Sequence, residues 1–243
     1  MLTIAHLSDT HFGGPADATA RTEQVLDHLL AMDPRPDVLV HTGDVADHGR
    51  AEEYAEAHRV LDRWTGPRLV VPGNHDVHAA FTLGAAPLPT ALDLGPRGRL
   101  LGLSSLVDAV DGRRIDHGEL SDDALAWLDA QLGESDRPAF VCLHHPPADI
   151  GLGLMAKILL REPERLAAVL ARHDHVVALL VGHAHTACTT TFAGVPVLIG
   201  GGVASTVPVD AEDLPVVWEA GPPVFALHLL DDDGRLTTHW RAL

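Results

Sequence analysis

Short apolar runs recur along the first two-thirds of the chain, and each stops at a polar residue. Leu2-Thr3-Ile4-Ala5, Val38-Leu39-Val40, Leu69-Val70-Val71, Phe140-Val141-Cys142-Leu143 and the six residues 176–181 read as strands buried on both faces. Between them the period changes from two to 3.6. Residues 18–32 place Val25, Leu26, Leu29 and Leu30 on one helical face, and residues 51–64 do the same with Tyr54, Ala57, His58 and Leu61. A third helix is predicted over 121–132, opened by Ser121 with Asp122 and Asp123 in the first turn. A fourth covers 163–172, with Pro163 in its first turn and Leu166, Val169 and Leu170 inward.

The last third reads differently. Residues 189–198 form a hairpin about Ala193-Gly194, and residues 224–230 and 235–240 a second one about Asp231-Asp232-Asp233-Gly234. Residues 207–223, rich in Pro and acidic side chains, are expected to be a long surface connection. Residues 81–98 and 149–160 are expected to be loops. Alternating strands and helices followed by hairpins suit an α/β protein of two facing sheets with helices outside. At 243 residues the chain is expected to be one domain, 1–243.

The polar residues that stop the strands carry the chemistry. They are Asp9-Thr10-His11, Gly43-Asp44-Val45-Ala46-Asp47, Gly73-Asn74-His75-Asp76, His144-His145 and Gly182-His183-Ala184-His185. Open α/β sheets place their sites at the C-terminal ends of strands. Asp, Asn and His without cysteine are a ligand set for Mn, Fe, Zn, Co or Ni. Taken singly, Asp9 caps a turn, Asp47 caps the helix that begins near Ala51, and His11 is a surface residue. Five such blocks after five strands make one site.

Composition narrows the class. Hydrophobic residues make up 46% and aromatic residues only 4%, so the core is built from Val, Leu, Ala and Ile. No apolar run approaches the roughly 18 residues of a membrane span, and the chain enters a strand at once, which points to a cytoplasmic protein. Cys142 and Cys188, the only cysteines, read as buried free thiols. A formal net charge of −17 argues against nucleic-acid polymers and anionic membranes as partners. A small phosphate ester stays compatible, because divalent cations reverse the local field. A homodimer is compatible with this composition as well.

The five blocks, in this order, resemble the calcineurin-like metallophosphoesterase superfamily, with its D-x-H, G-D-x-x-D, G-N-H-D/E, H and G-H-x-H pattern. Gly43 to Gly49 and His144-His145-Pro146-Pro147 are similar to the class III cyclic-nucleotide phosphodiesterases and their glycerophosphodiesterase relatives. The resemblance implies a four-layer α/β/β/α sandwich of two mixed sheets flanked by helices. It also implies two divalent or mixed-valence transition-metal ions. The first is implied on Asp9, His11, Asp44 and His185, and the second on Asp44, Asn74, His144 and His183. Asp44 is expected to bridge with its two oxygens, Gly182 to let the backbone approach the metals, and a bridging hydroxide to attack phosphorus in line. His75 is implied as the acid that protonates the leaving oxygen, and Asp47 as the carboxylate that orients His75. Asp76 and His145 are expected beside the ligands, and His117 within reach of substrate.

Two departures bear on specificity. His48 stands where phosphatase relatives carry Arg, and His78 where many class III relatives carry a basic residue. Both losses favour a singly charged diester or leave anchoring to His75, His78 and His117. The expected activity is hydrolysis of small phosphodiesters, including 3′,5′- or 2′,3′-cyclic nucleotides. The alternatives are a phosphomonoesterase, a nucleotide or lipid pyrophosphohydrolase, and a non-catalytic binding module. The last would lack ligands or His75, and none is missing.

Overall fold

The computed structural model describes residues 1–84 and 88–243. Strands β1 (Leu2–Leu7), β2 (Val38–His41) and β3 (Arg68–Val70) alternate with helices α1 (Ala18–Ala31) and α2 (Ala51–Leu61). Then come β4 (Thr90–Asp93), β5 (Arg99–Gly102), α3 (Asp122–Gly133), β6 (Ala139–Cys142), α4 (Pro163–Leu170) and β7 (Val176–Val181). Two hairpins follow, β8 (Cys188–Phe192) with β9 (Val195–Ile199) and β10 (Val224–Leu230) with β11 (Leu236–Ala242).

One sheet has the order β11-β10-β1-β2-β3, the other β4-β5-β6-β7-β9-β8. Both are mixed. β1, β2 and β3 run parallel, as do β5, β6, β7 and β9, while the hairpin partners run antiparallel. The short, fully apolar strands follow from burial on both faces, since alternate side chains enter different layers. Ala5, Leu7 and Leu39 face α1 and α2, beside Val25, Leu29 and Leu61. Ile4, Val38 and Val40 face the other sheet, where they share a core with Phe140, Ala178 and Leu180. On that sheet Val141, Leu179 and Val181 turn outward to Leu128, Leu166 and Val169 of α3 and α4. The result is the expected α/β/β/α sandwich.

The helices form where the periodicity placed them. Ser121 Oγ accepts the Ala124 amide at 3.1 Å to start α3. The expected loop 81–98 is a correction: β4 and a 3₁₀ turn over Gly95–Arg97 fall within it, and β5 follows directly. β4 is a four-residue edge strand flanked by Pro and Gly, too short for its alternation to stand out. Part of that segment, 85–87, lies outside the described residues. The loop 149–160 holds one 3₁₀ turn and buries Leu152, Met155 and Leu160 against α3 and α4.

Connection 207–223 has no strand of its own and is tied down from α1. Arg21, 8% exposed, donates to the carbonyls of Val203 (2.8 Å) and Gly221 (2.6 Å). Cys142 is buried, Cys188 half-buried, and both are free. No helix among the described residues is long and apolar enough to cross a membrane.

Candidate metal centre

The parallel strands end at one edge, and their extensions lie side by side. Past β1, the amides of Asp9, His11 and Phe12 donate to the carbonyls of Gly43, Asp44 and Val45 at 2.8–3.0 Å. Past β3, residues 73–76 fold against the same loop, because Asp76 accepts the amides of Gly73, Val45 and Ala46 at 2.9–3.1 Å and the Tyr54 hydroxyl at 3.1 Å. A side chain at Gly73 would strike the Asp44 carboxylate, so this approach needs glycine. Gly182 serves a different approach from the one expected. A Cβ there would meet Ser8 Oγ and the Thr42 carbonyl, so this glycine seats the end of β7 against the other sheet.

Seven of the sequence-predicted residues converge. His11 Nε2 lies 3.1 Å from His185 Nε2 and 3.6 Å from Asp44 Oδ2, and His185 Nε2 lies 3.5 Å from Asp9 Oδ1. His144 Nε2 lies 3.4 Å from the same Asp44 Oδ2, 3.1 Å from Asn74 Oδ1 and 3.2 Å from His183 Nδ1. Asp44 therefore stands between two clusters through one oxygen rather than two, because its Oδ1 accepts the His75 amide at 2.8 Å. Asp9, His11, Asp44, His183 and His185 all have positive φ, between 44° and 68°. Such backbone is costly away from glycine and concentrates where side chains must be aimed.

The donor chemistry fits metal ions. His11 Nδ1 donates to Asp47 Oδ1 (2.8 Å), and His185 Nδ1 to Ser205 Oγ (2.8 Å). Both rings are thereby fixed with their Nε2 lone pairs turned on each other at 3.1 Å, an arrangement that repels unless a cation lies between. His144 Nδ1 likewise donates to the Thr42 carbonyl at 2.6 Å, which leaves Nε2 for the cluster. Asp9 Oδ2 is buried with no hydrogen-bond partner. Atoms bound at about 2.1 Å to one ion with angles of roughly 90–120° stand roughly 3.0–3.6 Å apart, which spans the separations here.

The electrostatics carry the same demand for positive charge. Burial alone would lower His144, yet Asp44 beside it pushes the ring up to about 9. Burial would raise Asp44, and His144 instead holds it well below the carboxylate range. Asp9 is pushed up to about 6 by burial, with Asp44 adding to the effect. Burial and then the His144 charge keep His183 well below the ordinary histidine value, and burial lowers His185 to about 4. Both rings are thereby held neutral, and each keeps one nitrogen lone pair able to ligate.

The remaining predicted residues fall into place with corrections. The Asp47 carboxylate fixes His11 foremost. His75 Nδ1 donates to the Asp47 carbonyl at 2.9 Å and lies 3.5 Å from its carboxylate. Against burial, the Asp47 carboxylate and then the Asp44 charge raise the pKa of His75. His145 packs edge-on against His144 and tilted against His183, its Nδ1 paired with Ser105 Oγ. His48 is held by Glu53 at 2.8 Å and His78 by Asp108 and Ser104. His117, expected within reach of substrate, pairs with Glu119 at 3.1 Å.

Sequence reasoning missed Arg114 and Asp116. Arg114 Nη1 lies 2.9 Å from His75 Nδ1, and Asp116 Oδ1 accepts both from Arg114 Nε and, at 3.4 Å, from Asn74 Nδ2. That second contact turns the Asn74 carbonyl oxygen toward His144. Arg114 lies forty residues from Asn74 in sequence and carries no periodic signal, and its only flag was proximity to His117-Gly118. Two grooves open on the centre. One, about 310 Å³, runs past His75 to Val77, Leu106, Val107 and Arg114. The other, about 460 Å³, runs past His11 and His185 to Gly13, Gly14, Val217 and Glu219.

Known proteins place the chain in a family. The family model described as calcineurin-like phosphoesterase matches residues 2–187. A glycerophosphodiester phosphodiesterase GpdQ of Enterobacter lignolyticus is 32% identical over 240 residues, covering 93% of this chain and 86% of that protein. A probable cyclic nucleotide phosphodiesterase of Rhodococcus erythropolis is 33% identical over 227 residues, covering 86% and 73%. The crystal structure of a dimetal phosphatase from Danio rerio superposes with a TM-score of 0.76 at 16% identity, covering 99% of this chain and 96% of that one, which shows the shared fold. With the ligand-type residues clustered at the strand ends, the chain belongs to the calcineurin-like phosphoesterase family and is a metal-dependent hydrolase of phosphoric esters.

Proposed function

We propose that the chain, acting as one catalytic domain, hydrolyses small phosphodiesters, with cyclic nucleotides and glycerophosphodiesters as the substrate classes to test. The observation that supports this most is the pair of grooves: both are lined by Asp47, His48 and His75, and one reaches Asn74 while the other reaches His11 and His185. A diester has a substituent on either side of phosphorus, and each groove offers room for one. The relatives bearing phosphodiesterase names supply the substrate classes.

In this reading Asp9, His11, Asp44 and His185 hold one ion and Asp44, Asn74, His144 and His183 the other, drawn from Mn, Fe, Zn, Co or Ni. When bound, a pair of divalent ions supplies Lewis acidity and brings the pKa of water toward neutrality. The chain's own groups do the rest. Asp47, Ser205 and Thr42 fix the ring tautomers of His11, His185 and His144. His75 commits Nδ1–H to the Asp47 carbonyl and keeps Nε2 for a transferable proton. Its raised pKa favours the protonated ring, from which a proton can pass to a departing alkoxide. The surplus negative charge of the chain, −17, keeps polymeric nucleic acids away.

The test is a hydrolysis panel on Mn(II)-loaded protein. It compares bis-p-nitrophenyl phosphate, p-nitrophenyl phosphate, glycerophosphodiesters, and 3′,5′- and 2′,3′-cyclic nucleotides. A higher kcat/KM for diesters than for matched monoesters is expected. The reverse order would overturn the phosphodiesterase reading and leave the metal centre standing.

A further inference from the structure

We infer that Arg114 is the anchor for the substrate's phosphate, standing in for the basic residues that positions 48 and 78 lack. The inference rests on the phosphoester reading of the centre and adds a specificity-determining residue to it.

Three observations carry it. Arg114 Nη1 points at His75 Nδ1 from 2.9 Å, but that nitrogen already gives its hydrogen to the Asp47 carbonyl at 2.9 Å. A guanidinium nitrogen only donates, so this contact satisfies neither group and leaves a donor aimed at the centre. Asp116 holds Arg114 by Nε and Asn74 by Nδ2, which ties the arm to a residue of the second cluster and leaves the Nη face free. Arg114 is also the only arginine or lysine that lines either groove among the described residues, where Asp47, Asp76 and Asp108 line the same groove.

The planar fork of Arg matches two phosphate oxygens, or one oxygen donated to twice. A dianionic monoester or released phosphate offers more charge to it than a diester monoanion. Arg114 therefore sets how far the enzyme accepts terminal phosphates and how strongly phosphate inhibits it. It acts on binding and not on proton transfer.

The experiment is calorimetric titration of inorganic phosphate into Mn(II)-loaded wild type, Arg114→Gln and Arg114→Lys. Among the described residues Arg114 makes ion-pair contacts only with Asp116, and it is nearly half exposed, so the variants should melt within about a degree of wild type. The expected result is a Kd raised about tenfold to a hundredfold in R114Q and by less in R114K. A change below twofold would overturn the inference. In steady state, R114Q should raise KM more for p-nitrophenyl phosphate than for its bis-ester, with kcat moving less, and an equal rise for both would overturn it as well. If wild type cleaves neither ester, the phosphoester reading fails, and the phosphate titration still decides the role of Arg114.

Discussion

Asp47 Oδ1 accepts from His11 Nδ1 at 2.8 Å, nearer than its 3.5 Å to His75 Nδ1. The two histidines compete for one carboxylate, and His11 has it. The hydrogen bond fixes the His11 tautomer and makes Nε2 more basic toward a cation. The two rings together hold Asp47 far below the ordinary carboxylate range, His11 first and His75 second. Asp47→Ala is therefore expected to weaken the first metal ion by about tenfold to a hundredfold. The second should be nearly unchanged. Metal titration followed by calorimetry reads both.

Asp44 is the residue common to both clusters, through Oδ2. Asp44→Ala should abolish stoichiometric loading at both positions, whereas His11→Ala should mainly empty one. Elemental analysis after Mn(II) or Zn(II) loading should give two ions per wild-type chain, none tightly bound in D44A and one in H11A.

In the proposed mechanism His75 supplies a proton and does not bind metal. His75→Ala should keep its metal and lose turnover by roughly two to four powers of ten. The loss should shrink for p-nitrophenyl leaving groups, which depart without protonation. Rates on alkyl and p-nitrophenyl diesters, with metal content measured on the same samples, check this.

Acid sensitivity follows from a buried chain away from the centre. Thr42 Oγ1, His6, His228 and Thr238 Oγ1 are linked in series at 2.8–3.1 Å. Burial, then the neighbouring His41, lowers His6 to about 3, and burial, then His6, holds His228 well below its ordinary value. These rings stay neutral in the fold while the unfolded chain takes up protons below pH 6.5. The unfolded state then binds more protons, so stability is complete above about 6.5 and falls as pH drops toward 3, by about 1.4 kcal/mol per ring per pH unit. Urea midpoints at pH 7, 6 and 5 should decline, and less steeply in His228→Gln.

The fold was legible because both strand faces are apolar and the helices are not. Runs such as 176–181 and the spacing of Val25, Leu26 and Leu29 state their environment directly. The edge strand β4 was not, since four half-exposed residues between Pro and Gly carry little pattern. The ligand-type residues were legible because each ends a strand. What stayed hidden lies in the third dimension. No spacing reveals that Asp47 favours His11, that Gly182 faces Ser8 or that Arg114 reaches His75. The five left-handed backbones are equally invisible, because their residue types are chosen for chemistry and not for turn propensity.

The two clusters draw on both sheets. Asp9, His11, Asp44 and Asn74 follow β1, β2 and β3, whereas His144, His183 and His185 follow β6 and β7. Ions held there would rivet one sheet to the other, and the alignment of the rivet holes is set by Phe140, Leu180, Ile4 and Val40 in the layer between. Binding energy at the centre thus counts toward the cohesion of the whole sandwich, by RT ln(1 + [L]/Kd). A side chain shortened in that layer, such as Phe140→Ala, would let the sheets slide by fractions of an ångström. Metal affinity would register that slide before any loss of secondary structure.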